Sequence, residues 1–184
     1  MSKKFNLKLD KILWIDLEMT GLSPEKDLIL EVAAIVTDWS FEELATYQGV
    51  IKNHQKVLMQ RMKANDGFWD ANPESRDSLL KQNDTGKSLK EIEDELLELI
   101  DNNFSTTKPV LLAGNSIYMD RKFIENKWPR LSKRLFYRML DVSAWKVVFE
   151  YKYKQFFVKK DTHRALDDIR GSIMEIRHYL SKIS

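Results

Sequence analysis

Asp16 and Glu18 stand two residues apart at the end of the apolar run KILWIDL, Lys11 to Leu17. On a strand, residues i and i+2 project from the same face, so both carboxylates point the same way. Burying two like charges side by side is costly. A cation between them removes that cost, and hard divalent ions such as Mg²⁺ take oxygen ligands. The competing reading is a strand end at the surface with both acids solvated. Asp120 is a third candidate, in the stretch LLAGNSIYMD. There, Gly114-Asn115-Ser116 permits a tight turn and offers amides and a hydroxyl. The following helix would present its free N-terminal amides, a natural anion site. Read alone, Asp120 only complements the dipole of that helix. A fourth group is Thr162-His163-Arg164-Ala165-Leu166-Asp167-Asp168. His163 falls at the start of the last helix, and Asp168 lies at the edge of its buried stripe. Read alone, a histidine at a helix start is structural or solvent-facing, and His54 and His178 have only that reading.

These residues need elements to bring them together. The run Lys11 to Leu17 predicts a central strand buried on both faces. Thr20-Gly21-Leu22-Ser23-Pro24 is turn chemistry. Leu28 to Thr37 and Ala45 to Lys52 predict two further strands, and the short links predict antiparallel neighbours joined by hairpins. From Val57 to Gln82 the pattern is helical but broken, with Gly67 and Pro73 as punctuation. Ser88-Leu89-Lys90-Glu91 matches a capping box and opens a helix with one apolar stripe. Val110 to Ala113 reads as a fourth, short strand and residues 117–127 as a helix. Leu140 to Val142 reads as a short fifth strand, with residues 143–151 helical. In the last helix Leu166, Ile169, Ile173, Ile176 and Leu180 repeat at helical spacing. Three early strands followed by alternating helices and strands predict one mixed α/β domain over residues 1–184.

Composition narrows the chemistry. The chain has 184 residues, 43% hydrophobic and 32% charged, and no cysteine. Disulfides, thiolate catalysis and cysteine-bound metals are excluded, which suits a reducing cytoplasm. No apolar run is long enough for a transmembrane helix, and the first ten residues lack the pattern of a secretory signal. The net charge of +2 argues for no nucleic-acid partner by itself. Its distribution says more: residues 121–138 hold seven basic side chains against Glu125, and residues 91–101 hold six acids and no base. One reading is solvated helix faces, and the other is a basic wall near a phosphate-bearing substrate. Gly86-Lys87-Ser88 resembles the tail of a P-loop, but Lys81 stands where its first glycine would be.

In combination the segments resemble the DEDD family of 3′-to-5′ exonucleases, in the subtype that uses histidine, and within it the oligoribonuclease group. Trp14 to Leu22 looks like the first motif, and Gly114 to Ile117 with Asp120-Arg121 like the second. Thr162-His163 with Asp167 to Arg170 looks like the third, and Leu140-Asp141-Val142-Ser143 like a further signature. The motifs stand in the expected order from residue 14 to 170. The resemblance implies an RNase H-like α/β fold, a mixed sheet flanked by helices. It implies a homodimer that degrades very short RNA, dinucleotides above all, to 5′-mononucleotides. It also implies that Asp16, Glu18, Asp120 and Asp168 bind two divalent ions, Mg²⁺ or Mn²⁺, with His163 as general base and Asp167 as a neighbour. Such a pair, roughly 3.5–4 Å apart, holds the attacking and leaving oxygens of an in-line displacement. A histidine suits proton removal because its unperturbed pKa lies near neutrality.

The same resemblance assigns substrate contacts. Leu22 matches an apolar wedge between two bases, and Trp69 a stacking platform, with a core or interface aromatic as its alternative. Ser116 and Ser143 would grip the 5′ phosphate from one protomer, and Tyr137 and Arg138 from the other. The chain departs from the pattern at Phe136, where bacterial relatives have histidine, and at Glu74, where they have a second histidine. Those departures bear on the grip and hence on the preference for dinucleotides. The alternatives are a proofreading-type DNA exonuclease and a nucleic-acid-binding module without catalysis.

Overall fold

The computed structural model describes residues 9–158 and 164–183. Five strands form one sheet in the order β3-β2-β1-β4-β5. They are β1 (Ile12–Met19), β2 (Ile29–Thr37), β3 (Glu43–Val50), β4 (Val110–Gly114) and β5 (Leu135–Asp141). β2 runs antiparallel to both β1 and β3, as the short links predict. β4 and β5 run parallel to β1, which requires helical crossovers.

The helices are α1 (Gln55–Ala64), α2 (Asp66–Ala71), α3 (Pro73–Gln82), α4 (Leu89–Asn103), α5 (Tyr118–Lys127), α6 (Pro129–Arg134), α7 (Val142–Val148) and α8 (Ala165–Leu180). The broken helical stretch is three helices. Its breaks fall at Asn65 and Asn72 rather than at Gly67, which lies inside α2. Pro73 opens α3, where a missing N–H has no partner to lose. The capping box forms as predicted: the Ser88 hydroxyl accepts from the Glu91 amide, and the Glu91 carboxylate accepts from the Ser88 amide at 2.8 Å. α7 gives way to a π-helical turn, Phe149–Tyr153, that ends at Lys154 in the left-handed region.

The alternation along β1 divides the core. Leu13, Ile15 and Leu17 pack with Ile92, Leu96 and Ile100 of α4 and with Phe123 and Ile124 of α5. Ile12 and Trp14 pack on the other face with Ile169, Ile173 and Ile176 of α8. Asp16 and Glu18 continue the even-numbered series, so they share the face that α8 covers.

Three of the seven basic side chains between residues 121 and 138 are paired with acids. Arg130 of α6 pairs with Glu93 and Asp94 of α4, and Arg134 pairs with Asp101. Arg121 pairs with Glu125 at 2.8 Å. The acidic run packs against the basic run, and much of the apparent charge segregation cancels in space. Glu93 is the buried member. It accepts from the Arg130 and Leu131 amides at 2.8 and 3.2 Å, which satisfies free donors at the start of α6. Glu93→Ala leaves those amides buried and unpaired. The expected loss is about 2 kcal/mol of unfolding free energy, read by urea denaturation. A loss below roughly 0.5 kcal/mol, the usual range for a surface change, would show that the cap contributes nothing.

Candidate active site

β1 pairs with β4 only over Ile12 to Trp14, while its pairing with β2 continues to Met19. Beyond Trp14 the edge of β1 facing β4 is open, and α5 begins beside it. The Leu17 N–H therefore needs a partner outside the sheet, and it donates to Asp120 Oδ1 at 3.0 Å. Gly114, the last residue of β4, permits this closeness: a Cβ there would stand 2.9 Å from the Ile15 carbonyl oxygen. Asp120 is thus fixed on the amide between Asp16 and Glu18.

From the opposite side α8 brings Asp168. Asp16, Glu18 and Asp168 each offer a carboxylate oxygen, and the three lie within 4.8 Å of one another. Asp120 stands outside that group of three but feels it. Burial pushes its carboxyl up to about 8, and the negative Glu18 and Asp141 push the same way, against hydrogen bonds from its own backbone and Leu17. A set of carboxylate oxygens whose like charges repel in low dielectric fits a hard divalent cation. His163 lies outside the described residues; its neighbour Arg164 is the residue from which α8 starts.

Asp141, part of the fourth signature but not singled out as a site residue, closes the far side. Its Oδ1 accepts from the Ser116 and Ser143 amides at 3.0 and 2.9 Å. Ser116 adopts a φ of 48°, which a serine holds only at some strain. The structure brings Ser116 and Ser143 together, with hydroxyls 3.0 Å apart. Their amides are used by Asp141, so an anion here meets the hydroxyls rather than the free amides that the turn chemistry predicted.

The loop carrying Leu22 is closed on itself. The Thr20 amide donates to the Leu28 carbonyl at 2.9 Å, and the Ser23 amide to Asp27 Oδ2 at 2.9 Å. Gly21 lets the loop pass Asn65 and Asp27, either of which a Cβ would meet at under 3 Å. The loop leaves Leu22 69% exposed.

Trp69 corrects an expectation. It is only 2% exposed, packs with Leu30, Leu58, Met62 and Leu79, and donates its indole N–H to the Thr20 carbonyl at 3.1 Å. A ring so enclosed is a core aromatic, the alternative reading, and it supports the Leu22 loop instead of facing a base. Its neighbour Phe68, missed in the sequence, is 49% exposed and meets Trp69 edge-on at 5.0 Å. Phe68 lines a groove of about 290 Å³ with Glu18, Met19, Gly21, Leu22 and Asn65. The signal was the pair Phe-Trp in one short helix, of which only one member can face the core.

β5 is longer than the three residues expected, and it carries a bulge. Val110 pairs with Leu135 and Leu112 with Met139, so β5 contributes two extra residues between those pairs. A bulge re-aims side chains, and this one leaves Tyr137 68% exposed. The Arg138 guanidinium lies 5.2 Å from the Tyr137 ring centroid. Arg121 donates to the Phe136 carbonyl at 2.6 Å and fixes the bulge to α5, one residue beyond Asp120. Glu74 lies exposed in the first turn of α3.

The metal-free site has a pH signature. The Asp120 carboxyl holds its proton to about 8 when folded, against 3.8 when unfolded. Its contribution to stability is therefore fully present below the unfolded value and is lost as pH rises through the folded one. In EDTA the melting temperature should fall from about pH 5 to about pH 8.5. Asp120→Asn should flatten that slope, and Mg²⁺ should raise the melting temperature most at the alkaline end. A slope in EDTA that is the same in Asp120→Asn would remove the buried charge conflict.

A family model described as Exonuclease matches residues 13–176. An oligoribonuclease of Corynebacterium glutamicum is 37% identical over 174 residues, which cover 92% of this chain and 78% of that protein. An oligoribonuclease of Francisella tularensis is 37% identical over 177 residues, 95% of this chain and 96% of that one. A probable oligoribonuclease of Caenorhabditis elegans is 36% identical over 94% of this chain and 89% of its own. Among solved structures, E. coli Exonuclease I in complex with a 5cy-dA13 oligonucleotide superposes with a TM-score of 0.63 at 12% identity. That match covers 94% of this chain and 40% of the larger enzyme, and it supports the RNase H-like fold alone. The chain is a nuclease that belongs to the exonuclease family, alongside its oligoribonucleases.

Proposed function

We propose that this protein removes nucleotides from the 3′ end of short RNA, dinucleotides above all, and releases 5′-mononucleotides. The observation that carries the reading is the convergence of Asp16, Glu18 and Asp168 beside the buried Asp120. These four hold two divalent cations, Mg²⁺ or Mn²⁺, which when bound neutralise the carboxylates and supply an activated water and an electrophile for the phosphodiester. Asp120 is anchored by the Leu17 amide, so its orientation is set before a cation arrives. His163 takes the proton of the attacking water, a role for which its neighbours in chain, just ahead of Asp168, place it within the same motif.

Leu22 separates the two bases, and Phe68 offers its exposed ring to one of them across the groove that begins at Glu18. The Ser116 and Ser143 hydroxyls meet the 5′ phosphate. Tyr137 and Arg138 complete that grip from a second copy of the chain, as a homodimer. The exposed side chains of Val148 and Tyr153, which line one apolar pocket with Trp145 and Ile183, support such a pairing, since apolar surface of this kind is commonly covered by a partner. No described helix is long and apolar enough to cross a membrane. The absence of cysteine suits the cytoplasm as its compartment.

The test is cleavage of 5′-labelled RNA and DNA of two, five and twenty nucleotides, with Mg²⁺, Mn²⁺ or EDTA. The RNA dimer should be cleaved fastest, and EDTA should stop the reaction. A preference for twenty-nucleotide DNA would favour a proofreading-type enzyme. Retention of long strands without cleavage would favour a binding module. Asp120→Asn should abolish turnover in a folded protein. Phe68→Ala should raise KM for the RNA dimer by roughly 5- to 100-fold with little change in kcat, the range for one lost base stack. An unchanged KM would remove Phe68 from the substrate site.

A further inference from the structure

Glu31 is a lone acid inside the apolar strand ILEVAAIVT, and its side chain is wholly buried. It faces Glu18 across the antiparallel pair β1–β2, and residues directly opposite project from the same face. A second carboxylate facing a cation-binding one adds repulsion where the site already has too much negative charge. The surrounding contacts explain how it is tolerated. Gln48 of β3 donates to Glu31 Oε1 at 2.6 Å, and Gln82 of α3 donates to Oε2 at 2.8 Å. Arg164 closes the set, its Nη2 3.2 Å from Glu31 Oε2. The same guanidinium donates to Ser78 Oγ at 3.2 Å and to Gln82 Oε1 at 3.4 Å.

Arg164 is also the residue from which α8 starts. Its side chain does not cap the helix, as a serine or aspartate would. Its carbonyl accepts the Asp168 amide at 3.0 Å. One residue thus grips the sheet through its guanidinium and Asp168 through its backbone. Stability alone does not account for this arrangement, because Arg164 stays partly exposed while Glu31 is buried, and removing a carboxylate from water is seldom better than packing an apolar side chain of the same volume. What the pair supplies that an apolar pair does not is direction: a fork of donors fixes both distance and angle.

We propose that Glu31 and Arg164 are positioning residues, whose partly buried pair fixes the first turn of α8 so that Asp168 meets Asp16 and Glu18 at cation-binding distance. The proposal rests on those carboxylates being the metal site. Removing the tether leaves the ligands present and their meeting unenforced, so the effect falls on metal affinity rather than on the fold.

The experiment compares wild type with Glu31→Leu/Arg164→Met, which replaces the pair by apolar residues of similar length, and with Arg164→Lys, which keeps the charge and loses the fork. Mn²⁺ affinity is measured by calorimetry, stability by urea denaturation in EDTA, and turnover of the RNA dimer over a Mn²⁺ series. The expected result is a 10- to 100-fold weaker Mn²⁺ affinity, about the loss seen when groups behind metal ligands are removed. Stability in EDTA is retained, and high Mn²⁺ restores most of kcat. For Arg164→Lys the affinity falls about tenfold. If the folded variants bind Mn²⁺ within about twofold of wild type, below the range for such groups, the positioning role is overturned. If wild type itself binds no Mn²⁺, the reading of the carboxylates as a metal site falls instead, and the proposal with it.

Discussion

Mutual repulsion among carboxylates is the constraint on which this molecule turns. Asp16, Glu18, Asp120 and Asp168 meet at the open end of a buried strand, where low dielectric strengthens every charge. Left to themselves they would separate or take up protons; Asp120 is pushed towards the protonated form first by burial and then by the nearby Glu18 and Asp141. The fold opposes separation with covalent and packing rigidity. β1 is clamped by strands on both sides up to Trp14, α5 is locked on through Phe123 and Ile124, and α8 through Ile169, Ile173 and Ile176. Each acid therefore arrives on an element whose apolar face is already committed to the core.

The open edge of β1 matters as much as the charges. Where β4 ends at Gly114, the sheet splits, and the unpaired Leu17 amide becomes the fixed point for Asp120. On the proposed function, the same divergence makes room for a substrate. One rim is the Leu22 loop, braced from beneath by Trp69. Another is the Ser116–Ser143 pair, braced by Asp141. The two rims are both internally hydrogen-bonded loops rather than free ones. A short nucleotide would then meet surfaces that need little reordering, which keeps the entropy of binding low.

The two oppositely charged runs of the sequence meet in space. The acids of α4 pair with Arg130 and Arg134 of α6, so part of the basic run between residues 121 and 138 is neutralised within the fold.

The sequence alone determined what local periodicity and local chemistry can express. The alternation through KILWIDLEM put Asp16 and Glu18 on one face. The Ser88–Glu91 box set a helix start, and the spacing of α8 set Asp168 at the margin of its apolar stripe. Those features involve residues within a few positions of each other. Tertiary structure decided everything that depends on which face an element turns inward. Phe68 and Trp69 are adjacent, and successive helical residues point about 100° apart, so their roles were fixed only when α2 docked under the Thr20 loop. The β5 bulge depends on register with β4, and the cancellation of the two charged runs depends on α4 meeting α6. The Glu31–Arg164 pair joins residues far apart in the chain, and nothing in either neighbourhood names the other. Sequence supplied the carboxylates; only the packing of strands and helices made them one site.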